Sequence, residues 1–321
     1  MYFSSFMQMA SRREYWYPPR LARILWSAIR NFPRQIEICR ILARPEFRSI
    51  VSLHPVYPFK YLSTLYLVRG LTATERAQCF LHHYRYVQDR LHCGVLREAM
   101  LRDTSLVELR ADGHACVLTL GPPAENALWE GELALALRCD GEPLYSLQFA
   151  IVPGWVLQSQ EKDVLVILRI QGVKGRLNEI RAATRTLQDV APPALLVAAL
   201  VGIARTWDIR EMGGISASSQ FSREHCPPAL VRTYDDFFVS LGASRISEQF
   251  FATPIPLKEK AINEVTNGHK ARTRKKRLFK SMVTDEVCRR IAESNLSPSE
   301  PIDFLNPPAS SRLEAEEQMA G

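Results

Sequence analysis

Over the first 110 residues the apolar positions recur at intervals of three and four, the spacing that gathers them on one side of a helix. Leu21, Ile24, Leu25 and Ala28 form one short stripe, with Arg23 and Arg30 on another side and Trp26 nearby. Such a stripe predicts a helix docked on its parent domain, the alternative being one laid on an anionic membrane surface. The clearest helix start is Thr72-Ala73-Thr74-Glu75, where hydroxyl and carboxylate can satisfy the free amides of a first turn. Ala77, Phe80, Leu81, Tyr84, Val87 and Leu91 then make an apolar face.

From Gly113 the period changes to alternation. Strands are predicted at His114–Leu120, Trp129–Arg138, Pro143–Val152 and Asp163–Ile170, a meander whose Cys139-Asp140-Gly141-Glu142 turn suits positive φ. The pattern then gives a helix bearing Leu177, Ile180, Thr184 and Leu187, and a nearly all-apolar helix opened by Pro192 and Pro193. A buried strand at Ile209–Ser216, a helix at Tyr234–Leu241 stopped by Gly242 and a last strand at Arg245–Ala252 complete it. The chain divides into a mainly helical region (1–110), a mixed α/β domain (111–255), a basic helical arm (256–293) and an acidic tail (294–321). The tail's Ser, Pro and Glu content predicts disorder.

The 321 residues, 46% hydrophobic and 23% charged with 15 Gly and 20 Pro, exclude collagen-like, coiled-coil and wholly disordered chains. The length suits two folding units or one α/β unit with appendages. Seven cysteines without a C-x-x-C pair read as reduced thiols of an intracellular chain. No secretory signal is visible, and the longest nonpolar run, Val190–Ala204, is shorter than the roughly 20 residues that span a bilayer. The expectation is a cytoplasmic chain without a transmembrane segment, a peripheral inner-membrane contact being the alternative.

The charge is local. Between Leu257 and Lys280 nine Lys or Arg oppose two Glu, an excess equal to the whole chain's formal +7. Lys270, Arg272, Arg274, Lys275, Lys276, Arg277 and Lys280 have the density of a phosphate-binding element. Nucleic acid and anionic membrane are both candidate partners. With only Phe279 close by, base stacking is not indicated.

Strand, glycine loop and helix make an anion cradle around Gly172 and Gly175, because glycine lets backbone amides approach and a helix start is partially positive. Gln171, Lys174 and Arg176 complete the candidate cofactor-binding set. A meander followed by strand, glycine loop, helix, strand, helix, strand resembles the acyl-CoA-binding half of the GCN5-related N-acetyltransferase fold. Tyr234 to Arg245 resembles its last helix and strand. The resemblance implies acyl-CoA as ligand, although the loop departs from that family's Arg or Gln, two variable residues, Gly, one variable residue, Gly or Ala. Counted from Gln171, Lys174 stands where the first glycine belongs; counted from Arg169, Gly172 fits but Lys174 stands at the closing position.

Tyr234 and Glu179 are acid–base candidates to which sequence assigns no role. Ser216-Ala217-Ser218-Ser219 precedes His225 and Cys226 but lacks a Gly-x-Ser-x-Gly elbow. Cys79 and His83 stand four apart without further ligands in reach, so no metal site is expected. The catalytic residues stay unassigned.

Several segments together resemble the VirK/YbjX family of Gram-negative bacteria. They are Phe59-Lys60-Tyr61-Leu62, Leu81-His82-His83-Tyr84-Arg85, Gly131-Glu132-Leu133, Val152-Pro153-Gly154, Ile170 to Gly175, Ala191 to Leu196, Tyr234-Asp235-Asp236-Phe237 and Lys270 to Arg277. The likeness spans about residues 50 to 285. It implies a role in virulence, surface-protein expression, stress responses and tolerance of cationic antimicrobial peptides, without a settled reaction.

Overall fold

The computed structural model describes residues 18–111, 114–220, 228–259, 261–293 and 302–303. Helices α1 (Pro18–Arg30), α2 (Phe32–Leu42), α3 (Pro45–Leu53), α4 (Ala73–Arg90) and α5 (Cys93–Leu101) form the first part, with a 3₁₀ turn at Tyr57–Leu62. Thr72 caps α4 as its sequence requires: Oγ1 accepts from Glu75 N–H at 3.2 Å, and Glu75 Oε2 accepts from Thr72 N–H at 2.7 Å. The predicted face Ala77, Phe80, Leu81, Tyr84, Val87 and Leu91 is buried throughout. On α1, Ala28 is buried and Ile24 half-buried, while Trp26 remains 67% exposed. That helix docks through part of its surface.

Extended structure begins earlier than alternation predicts, at β1 (Thr104–Ala111), inside the stretch read as helical. A bulge between Ser105 and Val107 explains why: Leu106 and Val107 are both fully buried, so the period of two is broken. β2 (His114–Gly121), β3 (Leu133–Cys139), β4 (Glu142–Pro153) and β5 (Asp163–Gly172) follow as an antiparallel meander. Asp140 and Gly141 take φ of 51° and 82° in the β3–β4 turn, as that hairpin demands.

Two cysteines depart from the expectation of reduced thiols. Register places Cys116 opposite Cys139 across β2 and β3, and the two are joined as a disulfide. Their 23-residue separation carries no spacing signal, because it is strand pairing that brings them together. With two of them joined, the cysteines do not indicate a reducing compartment.

After β5 come α6 (Leu177–Thr186) and α7 (Pro192–Thr206), then β6 (Glu211–Ile215), which runs parallel to β5. α8 (Pro228–Ser240), β7 (Ser244–Arg245) and β8 (Phe250–Pro254) complete that end, giving the order β7-β8-β6-β5-β4-β3-β2-β1. Of residues 294–321, only 302–303 are described. They form β9 (Ile302–Asp303), parallel to β1; the expected disorder of the rest falls outside the described residues.

The apolar α7 is sandwiched. It packs against β3, β4 and β5 and is covered by α9 (Lys270–Ala292), whose Phe279, Val283, Thr284, Val287 and Ile291 are buried. Thr284 Oγ1 donates to Ala198 O at 2.9 Å, and a Cβ on Gly202 would stand 2.6 Å from Thr284 O, so only glycine allows this approach. The basic segment is thus docked through the second half of its helix. No helix among the described residues is long and apolar enough to cross a membrane.

The helical region and the sheet meet at a sealed ion pair. Lys60 Nζ lies 3.0 Å from Glu132 Oε1 and donates to Gly131 O at 2.7 Å, both side chains being wholly buried. Tyr84 O–H donates to Glu132 Oε2 at 2.5 Å, and the ammonium stands 4.9 and 5.3 Å from the ring centres of Tyr57 and Tyr66. Burial lowers the Lys60 pKa, with Glu132 opposing that shift. Gly131 has φ +155°, and a Cβ there would sit 3.0 Å from Gln148 Cβ, so the turn before β3 must be glycine.

Breaking such a pair leaves one buried charge uncompensated. Lys60→Met or Glu132→Leu alone is expected to cost roughly 3–5 kcal/mol in denaturant unfolding, and the double variant distinctly less than the sum. Additive losses would show that the two charges are not coupled.

Candidate functional site

The parallel pair of strands holds together only briefly. β6 matches β5 at Leu165, Val166 and Ile167, after which Ser216 N–H turns away to Gln249 O at 2.7 Å. β5 diverges at the same level, because Gln148 pairs with Arg169 and Phe149 with Ile167, leaving Leu168 as an extra residue. From Arg169 to Gly172 the strand has β4 on one side and, among the described residues, no strand partner on the other.

Polar groups collect where the strands part. Glu130 is 4% exposed and ion-paired with the Arg169 guanidinium, which also donates through Nε to Gln171 Oε1 at 2.9 Å. Tyr234 of α8 comes in from the β6 side. Its hydroxyl is buried and faces Gln220 without a hydrogen bond of regular geometry. Burial raises its pKa, and the Glu130 charge adds to the rise, so the phenol stays protonated. Burial likewise holds the Glu130 carboxyl above its usual range, with Arg169 opposing the rise. One side chain keeps a proton, and the other gains or loses one closer to neutrality than a solvated carboxylate does.

The predicted cradle is divided in its placement. Val173 N–H donates to Leu144 O and Arg176 N–H to Val173 O, which forms a tight turn with Gly175 at φ +85°. The amides of Lys174, Gly175 and the first turn of α6 find no acceptor among the described residues, and α6 has no side-chain cap. Lys174 and Gly175 are exposed. Gln171 instead holds Arg169, Gly172 is backed by Tyr145 and Ile180, and Arg176 is drawn to Glu142 at 2.6 Å. Two of the five residues therefore face solvent freely.

Other sequence candidates separate. Ser216 Oγ donates to Glu248 O at 2.7 Å and lies 2.8 Å from Ser218 Oγ, while Asp235 accepts from Ala217 N–H at 2.7 Å; this serine is part of a folded turn. His225 and Cys226 fall outside the described residues. His83 is sealed beneath β4, where its Nδ1 accepts from Ile151 N–H at 3.1 Å, and burial pushes the Cys79 thiol up to about 12. No group of three metal-ligating side chains occurs among the described residues. Along α9, Arg272 pairs with Asp189, and Glu259 takes both Arg277 and Lys280. Lys270, Arg274, Lys275 and Lys276 carry no ion pair among the described residues.

Sequence reading missed Glu130, which stands in no motif, and met Arg169 only as a possible start of the glycine-loop pattern, not as the partner of a buried carboxylate. The signal for Glu130 is its proximity to Gly131-Glu132. A raised carboxyl pKa means that ionisation costs folding free energy: the contribution is full below the ordinary carboxylate range and lost as pH rises through the shifted value. Glu130→Gln is expected to remove that segment from a stability-versus-pH curve, and Arg169→Leu to extend it to higher pH. Superimposable curves for the three chains would refute the assignment.

Residues 19–288 match the family described as "Protein of unknown function (DUF535)", which is the VirK/YbjX family. No curated protein matches. Among solved structures, a mutant of a cAMP-binding acyltransferase from Mycobacterium smegmatis aligns at 11% identity and a TM-score of 0.28, over 59% of this chain and 56% of that one, less than two thirds of its length. With 19–288 of its 321 residues matched, this chain belongs to the DUF535 family.

Proposed function

We propose that the chain is an acyl-CoA-dependent acyltransferase. The observation that carries this reading is the parting of β5 and β6 beside the buried Glu130 carboxyl, the half-buried Arg169 and the buried hydroxyl of Tyr234. A bulged strand leaving its parallel neighbour exposes backbone donors and acceptors along one edge, which an extended pantetheine-like chain can bond. The free amides of Lys174, Gly175 and the α6 start, with the Lys174 ammonium, suit its phosphates.

In this reading an amine or hydroxyl acceptor attacks the thioester carbonyl, the new C–N or C–O bond replacing the C–S bond. The Glu130 carboxylate takes the acceptor's proton, and Tyr234, held protonated by burial, gives its proton to the departing thiolate. Arg169 opposes the burial-driven rise and so favours the ionised form of Glu130. Following the family resemblance, we assign the reaction a role in virulence, surface-protein expression and resistance to envelope stress and antimicrobial peptides.

Titration with acetyl-CoA and longer acyl-CoAs is expected to give saturable heat that Lys174→Glu weakens. Tyr234→Phe is expected to slow thiol release by about 10²–10⁴ with little change in KM for the thioester. An absence of heat for every member of the series refutes the reading.

A second reading, a non-enzymatic protein gripping nucleic acid or anionic membrane, is favoured by the exposed and unpaired Arg274 and Lys275 together with Lys276. Replacing these three with Gln is expected to flatten the salt dependence of binding by a slope of about 2–3, and adding Arg277→Gln by little more, because Glu259 already holds it. An unchanged slope removes this reading.

A further inference from the structure

Between α7, the first half of α9 and Pro256, Leu257, Glu259 and Ile262 lies a cavity of about 940 Å³, near the upper end of the range for small-molecule sites. It is separate from the strand opening. Val197, Ala198, Val201, Leu241, Leu257 and Ile262 line it with aliphatic carbon, and no aromatic ring does. Arg274, Lys275, Arg277 and Lys280 line it as well, against a single acid, Glu259.

Charge and apolar surface lie at different ends. α9 runs alongside α7, with Arg272 at Asp189, Thr284 at Ala198 and Cys288 at Gly202. Arg274 and Lys275 therefore extend past the start of α7, whereas Ala198 and Val201 lie beside the later turns of α9, which turn Val283, Thr284 and Val287 inward. Arg205, at the far end, is neutralised by Asp285. The cavity thus has a cationic mouth and an aliphatic body.

We propose that this cavity binds one molecule of a single-chain phospholipid, its phosphate at Arg274 and Lys275 and its acyl chain along Val197, Ala198 and Val201. An isolated phosphate gives no reason for the aliphatic body, and an uncharged chain gives none for the two unpaired cations. A nucleic acid would call for stacking surfaces that the lining lacks. Leu278, 44% exposed, lies at the mouth and marks where the chain passes the headgroup. The site does not depend on the acyltransferase reading.

The test is titration of the full chain with palmitoyl lysophosphatidate held below its micelle concentration. Saturable one-to-one binding is expected. It should weaken about tenfold or more for palmitoylglycerol, which has no charge, and for the Arg274→Glu, Lys275→Glu double variant, which reverses the mouth. Ala194→Trp should block the cavity by a comparable factor; if it lowers the melting temperature, Leu278→Asp, at an exposed position, supplies the same readout. Equal affinity for inorganic phosphate would reduce the site to a bare anion contact and overturn the proposal. Binding only to anionic vesicles, or only to an acidic amphipathic peptide, would overturn it too.

Discussion

Two opposite charges shut away from water, on Lys60 and Glu132, hold the helical part of the chain to its sheet. Burying either alone would be prohibitive, and their attraction offsets the lost hydration only if the surrounding lone pairs and protons are also met. Here they are met from several directions: the Gly131 carbonyl takes a second ammonium proton, Tyr84 donates to the second carboxylate oxygen, and two phenol rings flank the cation. The partners come from pieces of chain that are distant in sequence. The 3₁₀ turn, α4 and the turn into β3 can therefore take only one mutual arrangement, and Glu132 N–H, bonded to Phe149 O at 3.0 Å, fixes that turn on β4.

That constraint reaches the strand opening through two residues. Gly131 presses against Gln148, the β4 residue that faces Arg169 across the ladder, so Glu130 arrives where Arg169 can meet it. A single tripeptide thus delivers one carboxylate to a sealed structural pair and another to a site where its protonation is less settled. The difference lies in the partners. Glu132 has an ammonium and a phenol supplied by the scaffold, whereas Glu130 has one arginine, itself shared with Gln171.

Periodicity made most of the architecture legible. The apolar faces of α4 and α7, the β3–β4 hairpin and the helix after the glycine loop could be read because each rests on local spacing. What escaped depended on contacts distant in sequence. β1 was masked by its bulge, the Cys116–Cys139 link by a register that no local pattern encodes, and Glu130 by its position outside any regular element. The cradle was half legible: glycine spacing indicated the turn, but not that Gln171 and Arg176 would be taken by Arg169 and Glu142.

Counting charges along the basic segment overstates what it can offer a ligand. A guanidinium already facing a carboxylate must exchange one anion for another, and the net gain is small. Arg272, Arg277 and Lys280 are in that position, whereas Arg274 and Lys275 are not. The free cations also stand at the mouth of an aliphatic cavity made by the same helix, because α9 must bury Phe279, Val283 and Val287 to cover α7. Docking its second half leaves the turn of Arg274 and Lys275 beyond the α7 start, with no carboxylate paired to either among the described residues. The helix that completes the core therefore also sets cations with no ion pair among the described residues beside an apolar hollow.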